Sequence, residues 1–430
     1  MRPSCLIALL LLWPRPSGSQ PAAKAHDELQ YTVIVSRHGV RTPTAAPAAL
    51  AQYSVEPWPE WGAPPGHLTA RGRNLMKIFG AYYRSYLEDR QTVRGPDCTD
   101  TNRVYFWADN EQRTLETARG LAEGMFPGCH TAVHSLPEDE ADPLFQGLAS
   151  KAGESGRATA AAAVLGSIGG HPEDLMDLYK NEFQELSRVL TGCATAEKCA
   201  EAPWLRPAIT VVPGRGDNLV DITGPLRNAS TLTENLLLEY TQGMAGKTLG
   251  WGRLDASNLR RIMALHTAYA DLARRTPYVA RARGSNLLDH ILNSLRQSVR
   301  AERVAAALGN PGDAALVIVG HDTNLSNLSG MLGISWLLPG YQPNDPAPGG
   351  ALVFELWRSA GGKRYSVRMY YTAQSMEQMR TQASLKLTAP PEKAEVFLPG
   401  CGTASGGFAC DWTDFERTVS AAIDPAFVQR

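Results

Sequence analysis

The stretch YTVIVSRHGVRTPT, residues 31–44, constrains the fold more than any other part of the chain. Tyr31 to Ser36 is a continuous apolar run rich in β-branched residues. Such a run, without alternation, predicts a strand buried on both faces of a parallel sheet. It ends abruptly in Arg37, His38 and Arg41. Buried guanidinium groups without partners are costly, and the neighbouring sequence offers no acid. A parallel α/β sheet resolves the conflict, because its ligands bind beyond the carboxyl ends of the strands. The expectation is an α/β protein that holds an anion at the end of this strand.

Two further strand signals end in the same way. RVYFWAD closes at Asp109, with Arg113 in the first turn of the helix EQRTLETARGLAEGM, and AALVIVGHDTN delivers His321 and Asp322. HLTARGRNLMKIFGAYYRSYLED places Leu68, Leu75, Ile78, Phe79, Tyr82 and Tyr86 at helical spacing. The opening is thus β, α, β, α, as in α/β folds. Residues 143–252 turn helix-rich and are expected to form an inserted helical domain, with 26–142 and 253–430 making the α/β body. Two long helices are predicted, around Asn258–Arg274 and Ser285–Leu308, followed late in the chain by a hairpin turning at Gly361-Gly362.

The formal net charge of −1 excludes a general basic coat for nucleic acid, so any cationic chemistry is local. Residues 1–25 show a short basic start, an apolar run from Leu6 to Trp13 and the small-residue site Ala23-Lys24-Ala25. They read as a secretory signal peptide, the run being too short to span a bilayer. Its removal takes Cys5 and leaves six cysteines for an oxidising compartment. Six cysteines allow 15 pairings. Local spacing favours Cys193 with Cys199 and Cys401 with Cys410, leaving Cys98 with Cys129. No cysteine spacing suits zinc.

If the three strand ends converge, Arg37, Arg41, Arg113, His38, His321, Asp109 and Asp322 line one pocket. Arginine presents a planar fork matched to phosphate oxygens, and helix amino termini add amide donors. A phosphoryl group suits such a pocket. Neutral His38, its protonation disfavoured by Arg37 and Arg41, is the nucleophile candidate. Asp322 is the proton-donor candidate, and Arg37, Arg41, Arg113 and His321 would meet the transition-state charge. Competing structural roles are helix capping for Asp322 and strand closure or capping for Asp109. His67, His130, His134, His171, His266 and His290 read as surface or packing residues, and Trp58 and Trp61 as local loop packing.

The run Arg37-His38-Gly39-Val40-Arg41-Thr42-Pro43, with His321-Asp322-Thr323-Asn324 far downstream, resembles the histidine acid phosphatases, branch 2 of the histidine phosphatase superfamily. ADNEQRT, LTARG, DPLF and PGGALVFELW extend the resemblance over nearly the whole mature chain. The resemblance implies a three-layer α/β/α, phosphoglycerate mutase-like fold with a helical domain capping the cleft. It implies the same three cysteine pairs. It also implies a periplasmic or secreted acid phosphatase working through a phosphohistidine, either a phytase or a glucose-1-phosphatase-like sugar phosphatase or phosphotransferase. A non-catalytic phosphate binder is the rival from another class. The resemblance assigns His38 as nucleophile, Asp322 as proton donor and Arg37, Arg41, Arg113 and His321 as phosphate ligands, with Thr44 and Asp109 in the pocket. No metal or cofactor is implied. The expected partner is a small phosphomonoester, with no nucleic acid, no stable membrane association and a monomeric state. One departure concerns substrate choice: Ala45 stands where phytases of this kind often carry a lysine.

Overall fold

The computed structural model describes residues 27–95, 98–216, 218–362, 364–403 and 407–429, so the expected signal peptide lies outside the described residues. The strands are β1 (Glu28–Arg37), β2 (Val104–Ala108), β3 (Val133–His134), β4 (Thr210–Pro213), β5 (Val220–Thr223), β6 (Ala315–Gly320), β7 (Ala351–Arg358), β8 (Tyr365–Ala373), β9 (Glu392–Glu395) and β10 (Cys410–Asp411). The longer helices are α1 (Ala70–Asp89), α2 (Gln112–Met125), α3 (Gly153–Ser167), α4 (Lys180–Thr191), α5 (Pro225–Thr241), α6 (Ala256–Ala273), α7 (Pro277–Arg300), α8 (Asp322–Leu332) and α9 (Trp412–Ala422).

The main sheet runs β10-β8-β7-β1-β6-β2-β3, with β9 also on β8. Strands β1, β6, β2 and β3 are parallel, whereas β7 and β8 continue the sheet antiparallel. Every residue of β6 is buried, as its unbroken apolar sequence requires. The β1-to-β2 crossover steps past β6 in one direction, and the return from β3 to β6 runs in the other. Right-handed connections then put α1 and α2 on one face and α7 on the opposite face. α2 packs on β2 and β6, α7 and α8 on β1, and α9 on β8. This is the three-layer α/β/α arrangement, and its parallel half brings the three charged strand ends to one edge.

Two glycines make that edge possible. A Cβ on Gly72 would run into the Val40 carbonyl, so only glycine lets the first turn of α1 seat against the loop after His38. Thr69 caps this turn through its side chain, accepting from Gly72 N at 2.9 Å. A Cβ on Gly320 would lie 2.6 Å from Asn324 Oδ1 and about as close to the Phe145 ring. That position ends β6 where α8 begins.

Residues 143–252 contain α3, α4 and α5, as expected of a helix-rich segment. They also hold an antiparallel ladder, β4 with β5, which the helical expectation omitted; each strand has only four residues, too few to declare a period. Helix α6 packs on α4 and α5, and the chain rejoins the sheet with α7. α7 starts eight residues earlier than predicted and stops at Arg300 instead of reaching Leu308. Pro277 fits the first helical turn, where its missing N–H costs nothing, and Ala301 at φ 53° breaks the other end. The late hairpin forms between β7 and β8. The cysteine pairs are Cys98–Cys129, Cys193–Cys199 and Cys401–Cys410.

Candidate active site

His38 sits at the end of β1, stitched on both sides. Its N–H donates to Gly320 O of β6 at 2.9 Å, and its carbonyl accepts from Gly349 N at 2.9 Å. The imidazole Nδ1 lies 2.9 Å from its neighbour's carbonyl, Gly39 O. A carbonyl only accepts, so Nδ1 carries the proton and Nε2 keeps its lone pair. Burial first, and then the charges of Arg37, Arg41, Arg113 and His321, hold the ring's pKa well below the ordinary histidine range. The ring therefore stays neutral in mild acid.

Arg37 is fully buried. Its Nη1 donates to Pro346 O at 2.5 Å, and its Nη2 pairs with Glu234 Oε1. Arg41 Nη2 reaches the same oxygen at 3.1 Å. Arg113, on the first turn of α2, pairs with Glu111. A methyl placed on Gly66 would lie 3.7 Å from both Arg113 Nη1 and Thr44 Cγ2. Thr44, which is exposed, and Arg113, which is partly buried, thus flank one gap at the rim.

At the end of β6, His321 Nε2 lies 2.5 Å from Asp109 Oδ2. The rings of His321 and His38 stand edge to face, 5.7 Å between centroids. Asp109 therefore orients His321, as well as ending β2. Asn324 Oδ1 accepts from His321 N at 2.8 Å, and its amide donates to Phe145 O at 2.7 Å, which ties the DPLF segment to the site. Asp322 is the first residue of α8, and His321 occupies the capping position. Its carboxylate pairs with Arg274, and Thr323 N donates to its Oδ1 at 2.9 Å. Burial pushes the Asp322 pKa up, but Arg274, Arg37 and His266 outweigh it and hold it well below the usual carboxylate range.

The structure brings all the expected residues to one edge and adds four that the sequence reading missed. Glu234 supplies the acid that no neighbouring sequence offered to Arg37 and Arg41, and it comes from α5. Arg274 follows α6. His266 Nε2 stands 3.9 Å from Asp322 Oδ2, where the sequence suggested only packing. Asp345, from the loop before β7, is buried near Arg37 and is pushed up to about 6, by burial first. These residues sit in ordinary-looking helices and loops, so no local pattern marks them. Trp58 donates to nearby Leu50 O at 3.1 Å, but it also stands edge to face with Trp251 in the 143–252 segment, so its packing is not only local.

Asp109, Glu111 and His321 offer ligand atoms within 4.8 Å of one another. Glu111 is already engaged by Arg113 and Asp109 by His321. A cation there would also face the arginine cluster, whose charge opposes it.

Comparison with known proteins agrees with this geometry. The sequence pattern of the Histidine phosphatase superfamily (branch 2) matches residues 28–372. Phytase AppA of Escherichia coli (strain K12) is 35% identical over 425 residues, 97% of each chain. A glucose-1-phosphatase of Providencia rettgeri is 26% identical over 430 residues, 98% of each. The structure of Hafnia alvei phytase in complex with myo-inositol hexakis sulphate matches with a TM-score of 0.82 and 32% identity, covering 95% of this chain and all of that one. A charged parallel-strand edge, a neutral histidine among arginines and a match across nearly the whole described chain lead to one assignment: this protein belongs to branch 2 of the histidine phosphatase superfamily.

Proposed function

We propose that this chain hydrolyses phosphomonoesters through a phosphohistidine on His38, with phytate-like inositol polyphosphates as its main substrates. The observation that carries the reading is the His38 ring: neutral, its Nδ1 proton bound to Gly39 O, and its free nitrogen among three arginines. In the first step the Nε2 lone pair forms a bond to phosphorus as the ester P–O bond breaks. Asp322 gives its proton to the departing alcohol oxygen. In the second step water attacks phosphorus, Asp322 takes its proton, and the P–N electrons return to His38. Arg37, Arg41, Arg113 and His321 hold the equatorial oxygens through both steps.

Two resting-state ion pairs have to change for this to work. An arriving phosphate replaces Glu234 on Arg37 and Arg41. Its negative charge beside Asp322 raises that group's affinity for a proton, offsetting the pull of Arg274. The phytate preference is supported by the likeness to Phytase AppA and to the Hafnia alvei enzyme that binds an inositol hexasulphate. A glucose-1-phosphatase-like preference has one observation in its favour: Ala45 contributes no cation beside the pocket mouth. We also read residues 143–252 as a cap over the cleft, and the disulfides and N-terminal segment as signs of a secreted or periplasmic location. No helix among the described residues is long and apolar enough to cross a membrane.

The test is phosphate release from phytate, glucose 1-phosphate and p-nitrophenyl phosphate by the parent and His38→Ala proteins at pH about 3 to 6. The parent should turn over all three and favour phytate, and the variant should be inactive yet still bind phosphate. Parent-like hydrolysis by His38→Ala would rule out the nucleophile.

A further inference from the structure

We propose that His266 is a positioning residue for the proton donor: its Nε2 faces Asp322 and sets how readily that carboxyl releases its proton. The inference rests on the assignment of Asp322 as donor. His266 is 1% exposed and lies on α6. Its Nδ1 stands 3.1 Å from both Oγ and the carbonyl of Ser230 on α5. The carbonyl is an acceptor only, so Nδ1 is the protonated nitrogen. Nε2 is left without a hydrogen-bond partner among the described residues, 3.9 Å from Asp322 Oδ2. A nitrogen that is a lone pair or an N–H, facing an oxygen that is a carboxylate or an O–H, makes a pair that holds one proton between two sites.

The charged surroundings make this pair the adjustable part of the cluster. Asp322 at the start of α8, Glu234 on α5 and Asp345 before β7 all feel the charge of His266. Arg274 at the end of α6 and Arg37 on β1 act on Asp322 as fixed cations. Asp345 is 1% exposed, and neither of its carboxyl oxygens has a partner among the described residues. Its carboxyl pKa is pushed up to about 6, by burial first, so it is largely uncharged below that pH. In the donor state the one proton sits on Asp322 and passes to the leaving oxygen; a nearby Nε2 that competes for that proton loosens it, and the carboxylate left behind accepts the proton of water in the second step.

The test compares pH profiles of kcat/KM for a simple alkyl phosphate, which needs its leaving oxygen protonated, and for p-nitrophenyl phosphate, which does not. His266→Asn keeps a polar group facing Ser230, and His266→Gln reaches toward the Nε2 position; neither carries charge. Thermal melts confirm that each variant is folded, and either folded variant suffices. Loss of the imidazolium raises the proton affinity of Asp322. The alkaline limb for the alkyl phosphate should therefore move upward by about one pH unit, as expected for removal of an opposite charge at this range. The p-nitrophenyl phosphate profile should stay in place. A folded variant with parent profiles for both substrates overturns the proposal, and so does an equal shift for both, which would point to His38 or phosphate binding. Restoration of the parent profile by Gln overturns the charge account. Asp322→Asn run alongside separates the two levels: equal losses on both substrates would remove the donor assignment itself.

Discussion

Replacing Glu234 with Gln tests the central ion-pair arrangement. The carboxylate bridges Arg37 and Arg41, touching the second at 3.1 Å, and its side chain is 13% exposed. At an effective dielectric of about 20, one unit charge pair at about 3 Å gains about 5 kcal/mol. Desolvation takes back several kcal/mol, and glutamine keeps an oxygen that still accepts, so the net loss should be about 2–3 kcal/mol, under the range for outright removal of a buried partner. The loss belongs to the ligand-free protein. Phosphate supplies the missing negative charge, and at about 100 times its dissociation constant it returns about 2.7 kcal/mol.

The variant should therefore melt below the parent in phosphate-free buffer and gain more from added phosphate. With no internal carboxylate to displace, inorganic phosphate should inhibit it at a concentration about tenfold lower, or about 1.4 kcal/mol of affinity. Burial pushes the Glu234 pKa up, but Arg41 and Arg37 outweigh it and bring it below the ordinary value. A carboxyl depressed in the folded state contributes stability that is present above its unfolded pKa, near 4.3, and is lost as pH falls through the lower folded value. The difference between parent and variant should persist at pH about 5 and shrink below about 4. Calorimetry and competitive inhibition supply both readings. A variant as stable as the parent without phosphate, and inhibited at the same concentration, would refute the bridging role.

Ala45→Lys should raise kcat/KM on phytate several-fold while leaving p-nitrophenyl phosphate unchanged; equal effects on both would show that this position does not match substrate charge. Gly72→Ala should cost about 1–3 kcal/mol, the usual penalty of overpacking, and should lower kcat because the Val40 carbonyl has to move with the loop that carries His38. A parent-like melt and rate would contradict the close approach seen here. Replacing Cys98 and Cys129 together with Ser opens a link spanning 31 positions and should cost about 4 kcal/mol by loop-closure entropy, read as a lowered melting temperature with little change in KM.

The parts of the site that follow strand ends were legible because an apolar run that stops in charge is a local signal. Arg37, His38, Arg41, His321 and Asp322 each stand beside such a run, and the parallel sheet needed only standard handedness to bring them together. Glu234 and Arg274 were not legible for the opposite reason. TENLLLEYT reads as an ordinary helix, and nothing local says that Glu234 faces two arginines nearly 200 positions away. His266 was read as packing, and its Nδ1 bond to Ser230 is a packing role. Its second nitrogen gains meaning only when α8 arrives. Helix α7 starts before the predicted Ser285 because Pro277 suits the first turn.

His38 is held by backbone bonds to two glycines, Gly320 and Gly349, neither of which has room for a side chain, whereas the helices of residues 143–252 and the rim around Thr44 and Ala45 lie outside that framework. Changes in those outer parts can therefore alter what reaches the pocket while leaving the backbone seat of His38 in place.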